Sequence, residues 1–247
     1  MLLSVIISVF NEEKTIREIV EKVRRVKIPK EIIIVDDGSK DFTPAILDEL
    51  KAREMPNEFF QSYTIVHKIN GGKGSAVKAG VAVANGDVIV IQDADLEYDP
   101  EDYHRLVEPI ARGEVKAVMG SRLLQNQKIW FRGKRTWRYL INHLGIKSIS
   151  WLTNLLFWND ATDYEGCYKA FWRELIQSIP IEANGFEYDN ELICKILRLG
   201  HRVKEVPIHY YPRSYEEGKK IRVRDGFIIL WTIFKWRFLP IHSTSKA

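Results

Sequence analysis

The chain has 247 residues, 45% hydrophobic and 28% charged, which suits one large α/β domain with a small appendage and a real core. Lysine and arginine number 37 against 33 acids, and the net charge of +4 is too mild to call for nucleic acid. Two cysteines, Cys167 and Cys194, lack metal-ligand spacing and build no disulfide framework, so a reducing compartment is expected. No stretch reaches the roughly 18 to 20 uninterrupted apolar residues of a membrane span. Met1-Leu2-Leu3 lacks the basic flank of a signal peptide, which adds the expectation of a cytoplasmic location.

In chain order, Leu2 to Val9 reads as a buried strand, and Ile16, Ile19, Val20 and Val23 give the next segment, 13–26, helical spacing. Ile32 to Val35 is a second strand. A helix over 42–53 follows, opened by Thr43-Pro44, where threonine can cap and proline suits the first turn. Tyr63 to His67 is a third strand, Gly71-Gly72-Lys73-Gly74 a flexible turn, and Ser75 to Ala84 a helix. Asn85-Gly86-Asp87 turns the chain into the strand Val88 to Ile91. This alternation predicts a Rossmann-type, mostly parallel sheet with helices on both faces. Beyond it come a helix from Pro100 to Ala111, a short strand Ala117 to Gly120, a helix from Glu187 to Leu199 and a strand Val203 to Ile208. The span 128–158 is aromatic, basic and apolar, with helical spacing interrupted at Asn142, Lys147 and Asn154. It and the apolar segment 227–238 suit amphipathic surface helices lying on a membrane rather than crossing it.

Asp93-Ala94-Asp95 stands where the fourth strand emerges. Two carboxylates one residue apart raise each other's energy unless a cation lies between them, and Glu97 offers a third oxygen two residues on. A divalent cation held by so few ligands keeps coordination positions for a diphosphate. Asp36-Asp37-Gly38-Ser39 ends the second strand with the same grammar. In an open α/β sheet, both endings face one crevice at the carboxyl edge. The glycine turn lacks the spacing of a Walker loop, so Lys73 can approach donor phosphates but no ATPase signature is present. Arg122, after a short strand and Gly120, is placed to grip a phosphate with its planar fork.

Five stretches in order carry a resemblance: Ser4 to Glu12, Val35 to Ser39, Asn70 to Gly74, Gln92 to Glu97, and Gly120-Ser121-Arg122. Weaker ones follow at Thr162 to Lys169, Phe186-Glu187, and Tyr211-Pro212-Arg213 with Glu217 to Lys220. The chain resembles family 2 inverting glycosyltransferases, and within them the dolichol- or polyprenyl-phosphate mannose or glucose synthases. The resemblance implies a GT-A-like domain over 1–226, including the amphipathic span, with 227–247 as an apolar-aromatic C-terminal segment.

It further implies that Val9, Phe10, Asn11, Glu12, Asp37, Lys73, Asp93 and Ala94 bind the nucleotide sugar, with Asp37 on the base or ribose. Helix capping is the bland alternative for Asn11-Glu12. Asp93, Asp95 and Glu97 would hold Mg²⁺ or Mn²⁺, and Asp95 and Arg122 would be the catalytic pair. Arg122, Arg213, Lys219 and Lys220 would meet the acceptor phosphate. The donor is of the UDP-glucose or GDP-mannose type, with UDP-glucose slightly preferred, and the acceptor a polyprenyl phosphate. The expected setting is peripheral, on the cytoplasmic face of a membrane, with a membrane partner subunit or a homo-oligomer as further partners. A phosphate acceptor is already ionised and needs no general base, so Glu187, Asp189 and Glu191 are read as a helix face. Transfer to a glycan or other hydroxyl is the alternative, weakened because a Gln-x-x-Arg-Trp motif is missing. A silent nucleotide-sugar-binding adaptor is the second alternative.

Overall fold

The computed structural model describes residues 1–125, 137–212 and 223–241. The first half runs β1 (Leu3–Val9), α1 (Ile16–Arg25), β2 (Lys30–Asp36), α2 (Thr43–Ala52), β3 (Phe60–His67), α3 (Lys73–Val83) and β4 (Val88–Asp93). The second half runs α4 (Tyr103–Ala111), β5 (Ala117–Ser121), α5 (Arg122–Gln125), α6 (Trp137–Phe157), β6 (Lys169–Trp172), α7 (Arg173–Ser178), α8 (Tyr188–Arg198), β7 (Val203–Pro207) and α9 (Val223–Phe238). The expected α/β alternation is present.

The strands form one sheet in the order β3-β2-β1-β4-β6-β5-β7. β1 to β4 run parallel, as do β5 and β7, while β6 runs antiparallel between β4 and β5. β1 and β2 bury nearly every residue, as strands covered on both faces must, and that is why each carries a central apolar run, Val5 to Ile7 and Ile32 to Val35. α1 buries Ile16, Ile19, Val20 and Val23, the positions picked out by helical spacing. Parallel register sets Val9 opposite Asp36 and Ser8 opposite Asp93, so the ends of β1, β2 and β4 lie level on one edge.

Two elements differ from expectation. Helix α3 starts at Lys73 rather than Ser75, because Gly72 takes φ +95° and turns the chain directly into the helix. Helix α6 runs unbroken across Lys147 and Asn154. Lys147 points to solvent, while Asn154 reaches out of the helix to the Ala161 carbonyl (2.8 Å) and accepts from the Tyr164 hydroxyl (2.7 Å). Neither residue therefore competes with the helical backbone bonds.

A second, smaller core joins α6 and α9 to α8 through Ile149, Cys194, Ile229, Ile233 and Trp236. Trp236 lies over the buried Lys195 ammonium, 3.6 Å from nitrogen to ring centre. Among the described residues, no helix is long and apolar enough to cross a membrane.

Candidate active site at the carboxyl edge of the sheet

The loop after β1 is bound to the loop after β2. Asn11 sits in the left-handed region at φ +52°, donates its N–H to Ser39 Oγ (2.9 Å) and accepts from the Lys40 N–H (2.7 Å). The Glu12 N–H donates to Thr43 Oγ1 (3.0 Å). The N-cap of α1 is Thr15, whose hydroxyl donates to the Glu12 carboxylate (3.0 Å), and the first helical residue is Ile16. Asn11 instead ties the two loops into one wall.

Both oxygens of Asp37 are directed at the glycine turn. They accept from the N–H groups of Gly71 (3.0 Å) and Gly72 (2.7 Å), and from the Lys68 ammonium. Asp37, expected on the base or ribose, thus fixes the segment that delivers Lys73. Gly72 and Gly74 lie against the segment 183–185, where an added Cβ would come within 2.5 Å of the Asn184 oxygen or 2.6 Å of the Ala183 oxygen. The first N–H groups of α3 are taken by that same segment, Gly74 by the Gly185 carbonyl and Ser75 by that of Asn184. The helix start is therefore closed as an anion cradle and open only through its lysine.

Lys73 brings its ammonium to 2.7 Å from Asp93 Oδ1, with side chains 15% and 22% exposed. Burial opposes the charge on Lys73, but Asp93 outweighs it and holds the lysine well above its ordinary pKa. Asp93 is likewise penalised by burial, yet Lys73 keeps its carboxyl below the usual range. Asp95 accepts from the Glu97 N–H (3.1 Å), and Glu97 accepts from the Tyr210 hydroxyl (3.3 Å). The Tyr211 N–H donates to the Glu97 carbonyl (2.7 Å), so the acidic loop is clasped by the 209–211 segment.

Asp93, Asp95 and Glu97 follow one another off β4, but among the described residues no three Asp, Glu, His or Cys side chains converge as a ready metal-holding group. The donor set still fits a hard divalent cation: all are carboxylate oxygens on one strand end, and Asp93 already draws a cationic group to itself.

Arg122 differs most from expectation. Its fork engages Asp163, with Nε to Oδ2 and Nη2 to Oδ1 both at 2.7 Å, and its backbone N–H adds a third bond to Asp163 at 3.1 Å. The pair is buried, with side chains 8% and 0% exposed, and the guanidinium lies 5.2 Å from the Tyr210 ring centre. Burial alone would raise the Asp163 pKa; Arg122 pulls it below the ordinary range. Asp163 and Thr162 are held in turn by Glu205 of β7, which accepts both backbone N–H groups.

Sequence reasoning assigned no role to Asp163, Glu205 or Tyr210. Forty-one positions separate Arg122 from its partner, and no periodic signal links them. It also missed a cavity of about 670 Å³ at the ends of β2 and β3, lined by Gly38, Lys40, His67, Lys68, Ile69 and Asn70. The signals there were Gly38, in the acidic turn after β2, and Asn70, at the head of the glycine turn. Arg213, Lys219 and Lys220 lie outside the described residues.

On α8, Glu191 is buried and accepts from the Lys195 ammonium (2.5 Å) and from the N–H groups of Glu182 (2.8 Å) and Ala183 (2.7 Å). That bonding is structural. Asp189, 3.2 Å from the buried Lys169 ammonium, faces inward rather than out on a solvated helix face.

A mostly parallel sheet whose carboxyl edge gathers acidic, glycine-rich and lysine-bearing loops defines a GT-A-like fold. Residues 4–179 match Glycosyl transferase family 2, and the chain belongs to that family of glycosyltransferases. It is 29% identical over 231 residues to glycosyltransferase AglD of Haloferax volcanii, covering 90% of this chain and 35% of that protein. The chain thus spans about a third of that relative. It is 29% identical over 244 residues to the UDP-N-acetylglucosamine–dolichyl-phosphate N-acetylglucosaminyltransferase of Methanococcus voltae, covering 94% of each. Among solved structures, glucosyl-3-phosphoglycerate synthase of Mycobacterium tuberculosis, in complex with Mn²⁺, UDP and phosphoglyceric acid, is similar with a TM-score of 0.66 at 22% identity. That match covers 96% of this chain and 79% of the other, and it speaks for the fold.

Proposed function

We propose that the protein transfers a sugar from a nucleotide sugar to a polyprenyl phosphate with inversion. The observation that carries this reading is the end of β4, where Asp93 meets the Lys73 ammonium and Asp95 and Glu97 follow in the next turn of chain. The printed names of the relatives in Methanococcus voltae and in Proteus mirabilis, an undecaprenyl-phosphate 4-deoxy-4-formamido-L-arabinose transferase, support a lipid phosphate acceptor. The first also favours a UDP-sugar over GDP-mannose as donor.

Asp93, Asp95 and Glu97 would hold Mg²⁺ or Mn²⁺, which supplies charge stabilisation for a departing diphosphate. Lys73 keeps the cluster from carrying its full negative charge, so that an anionic donor can approach. Asp37 and the Asn11 bridge hold the walls of the nucleotide site in place without further rearrangement. An acceptor phosphate oxygen forms the new bond to the anomeric carbon as the bond to the nucleoside diphosphate breaks. The acceptor is ionised near neutral pH, so no side chain need take its proton. Arg122, fixed by Asp163 beneath Tyr210, contributes positive potential and positions the 209–211 segment.

A panel of radiolabelled nucleotide sugars incubated with polyprenyl phosphate tests the proposal. A lipid-extractable product from one donor is expected, and transfer only to hydroxyl acceptors would overturn it.

A further inference from the structure

Asp93 belongs to β4 itself, whereas Glu97 stands in the loop beyond it. A loop carboxylate holds a cation well only where a neighbour fixes its orientation. Tyr210 is that neighbour. Its hydroxyl donates to Glu97 Oε2 (3.3 Å). The Tyr211 N–H on the Glu97 carbonyl (2.7 Å) and an antiparallel bridge between Tyr98 and Tyr210 tie the two backbones together at the same place. Tyr210 is buried, and burial pushes its hydroxyl pKa up, so the group stays a donor toward the carboxylate.

The Tyr210 ring is held in one place. It packs on Tyr98 with ring centres 5.2 Å apart, Tyr98 packs on Tyr168 (4.8 Å), and Tyr168 on Tyr103 (5.6 Å). Tyr168 and Tyr103 both donate to Gln92 Oε1, at 2.7 and 2.5 Å, next to Asp93 in the chain. A stack of tyrosines thus runs from Gln92, where the acidic loop leaves β4, to Glu97. The same Tyr210 ring meets the Arg122 guanidinium, 5.2 Å from the ring centre, and Arg122 is locked in turn by Asp163. One residue before, His209 donates its N–H to the buried Asp102 and so pins the segment from behind.

We infer that Tyr210 is a positioning residue that acts through Glu97: its hydroxyl orients the Glu97 carboxylate for the cation, while its ring seats Arg122. The inference rests on the cation-assisted reading above and deepens it, by naming the side chain that joins the metal ligands to the arginine.

Tyr210→Phe keeps the ring, its stack and its contact with Arg122, and removes only the hydroxyl. Bound Mn²⁺ is counted on the full chain from the loss of the free-ion paramagnetic resonance signal, with saturating UDP present and a UDP-only control subtracted. Tyr210→Phe should weaken Mn²⁺ about tenfold, the lower end of the loss typical when the partner of a metal ligand is removed. Adding it to Glu97→Ala should change nothing further, because the hydroxyl then has no carboxylate to orient. In the transfer assay, Tyr210→Phe should need about tenfold more Mn²⁺ for half-maximal turnover, recover wild-type turnover at saturating Mn²⁺ and keep its KM for polyprenyl phosphate. A residue that served packing alone would show no such rescue. Tyr210→Leu, which loses the ring as well, should raise that KM.

Wild-type Mn²⁺ affinity in Tyr210→Phe overturns the inference, and so does a loss of equal size in the Glu97→Ala background. Asp95→Ala tells this failure from that of the underlying reading. If Mn²⁺ binding falls in Asp95→Ala but not in Tyr210→Phe, the cation site stands and only the role of Tyr210 is removed. If the wild type holds no Mn²⁺ above the UDP control, the cation-assisted reading falls and takes the inference with it.

Discussion

Asp163→Asn should destabilise the protein by about 3 to 5 kcal/mol, the cost typical of removing one partner from a buried ion pair. Asp163 is fully buried and meets the Arg122 fork through two bonds of 2.7 Å. Two charges about 4 Å apart at an effective dielectric near 20 attract by about 4 kcal/mol, which matches that range. Asparagine keeps the shape but turns an amide N–H₂ toward one guanidinium nitrogen and leaves the charge unanswered. In urea, with a slope of about 2 to 3 kcal/mol/M for a domain of this size, the midpoint should fall by about 1 to 2.5 M. Arg122→Lys keeps the charge and loses the planar fork, so it should cost less stability while still lowering turnover by displacing Tyr210. A double-mutant cycle of the two substitutions should return a coupling of about 1 to 3 kcal/mol. A loss below about 1 kcal/mol for Asp163→Asn, with an unchanged slope, would refute the argument that this pair anchors the end of β5.

Asp163 also sets a pH dependence. Its folded pKa lies below the unfolded value of about 3.9, so its contribution is complete above that value and is lost as pH falls through the folded pKa. Acid unfolding followed by circular dichroism should be less steep in Asp163→Asn than in wild type. Lys73→Met should cut turnover at least about a hundredfold while tightening Mn²⁺ binding in calorimetry, since an ammonium no longer competes for Asp93. Unchanged metal affinity would remove that competition from the account. Gly74→Ala places a methyl 2.6 Å from the Ala183 oxygen and 2.8 Å from Tyr188 Cβ, and should cost about 1 to 3 kcal/mol in thermal or urea unfolding.

The parallel half of the sheet was legible because β1, β2 and β4 are buried on both faces and so are built around apolar runs, Val5 to Ile7, Ile32 to Val35 and Val88 to Ile91. β6 was not. Its four residues Lys169 to Trp172 carry a buried lysine that bonds the Gly166 carbonyl, and nothing local announces an antiparallel strand between β4 and β5. α6 was legible in composition but not in continuity, because the outward reach of Asn154 is decided by Ala161 and Tyr164. The acidic ends of β2 and β4 could be found by position alone. What they bond could not, since Lys73 reaches Asp93 across twenty residues and Asp37 reaches the glycine turn across thirty-four. Arg122 was singled out for a phosphate in its planar fork, whereas the structure fills the fork with the Asp163 carboxylate, set by the docking of the 162–163 segment on Glu205. Such pairings belong to tertiary structure, and a single sequence holds no periodic trace of them.

The central claim is cation-assisted transfer onto a phosphate oxygen, and one assay addresses it directly. Wild type and Asp95→Ala are incubated with labelled nucleotide sugar and either polyprenyl phosphate or the matching polyprenol, each with Mg²⁺ or with chelator. Labelled, acid-labile glycolipid should form only from wild type with polyprenyl phosphate and Mg²⁺, with Asp95→Ala and the chelated enzyme both reduced at least about a hundredfold. Undiminished product in chelator or from Asp95→Ala, or product from polyprenol alone, would contradict it.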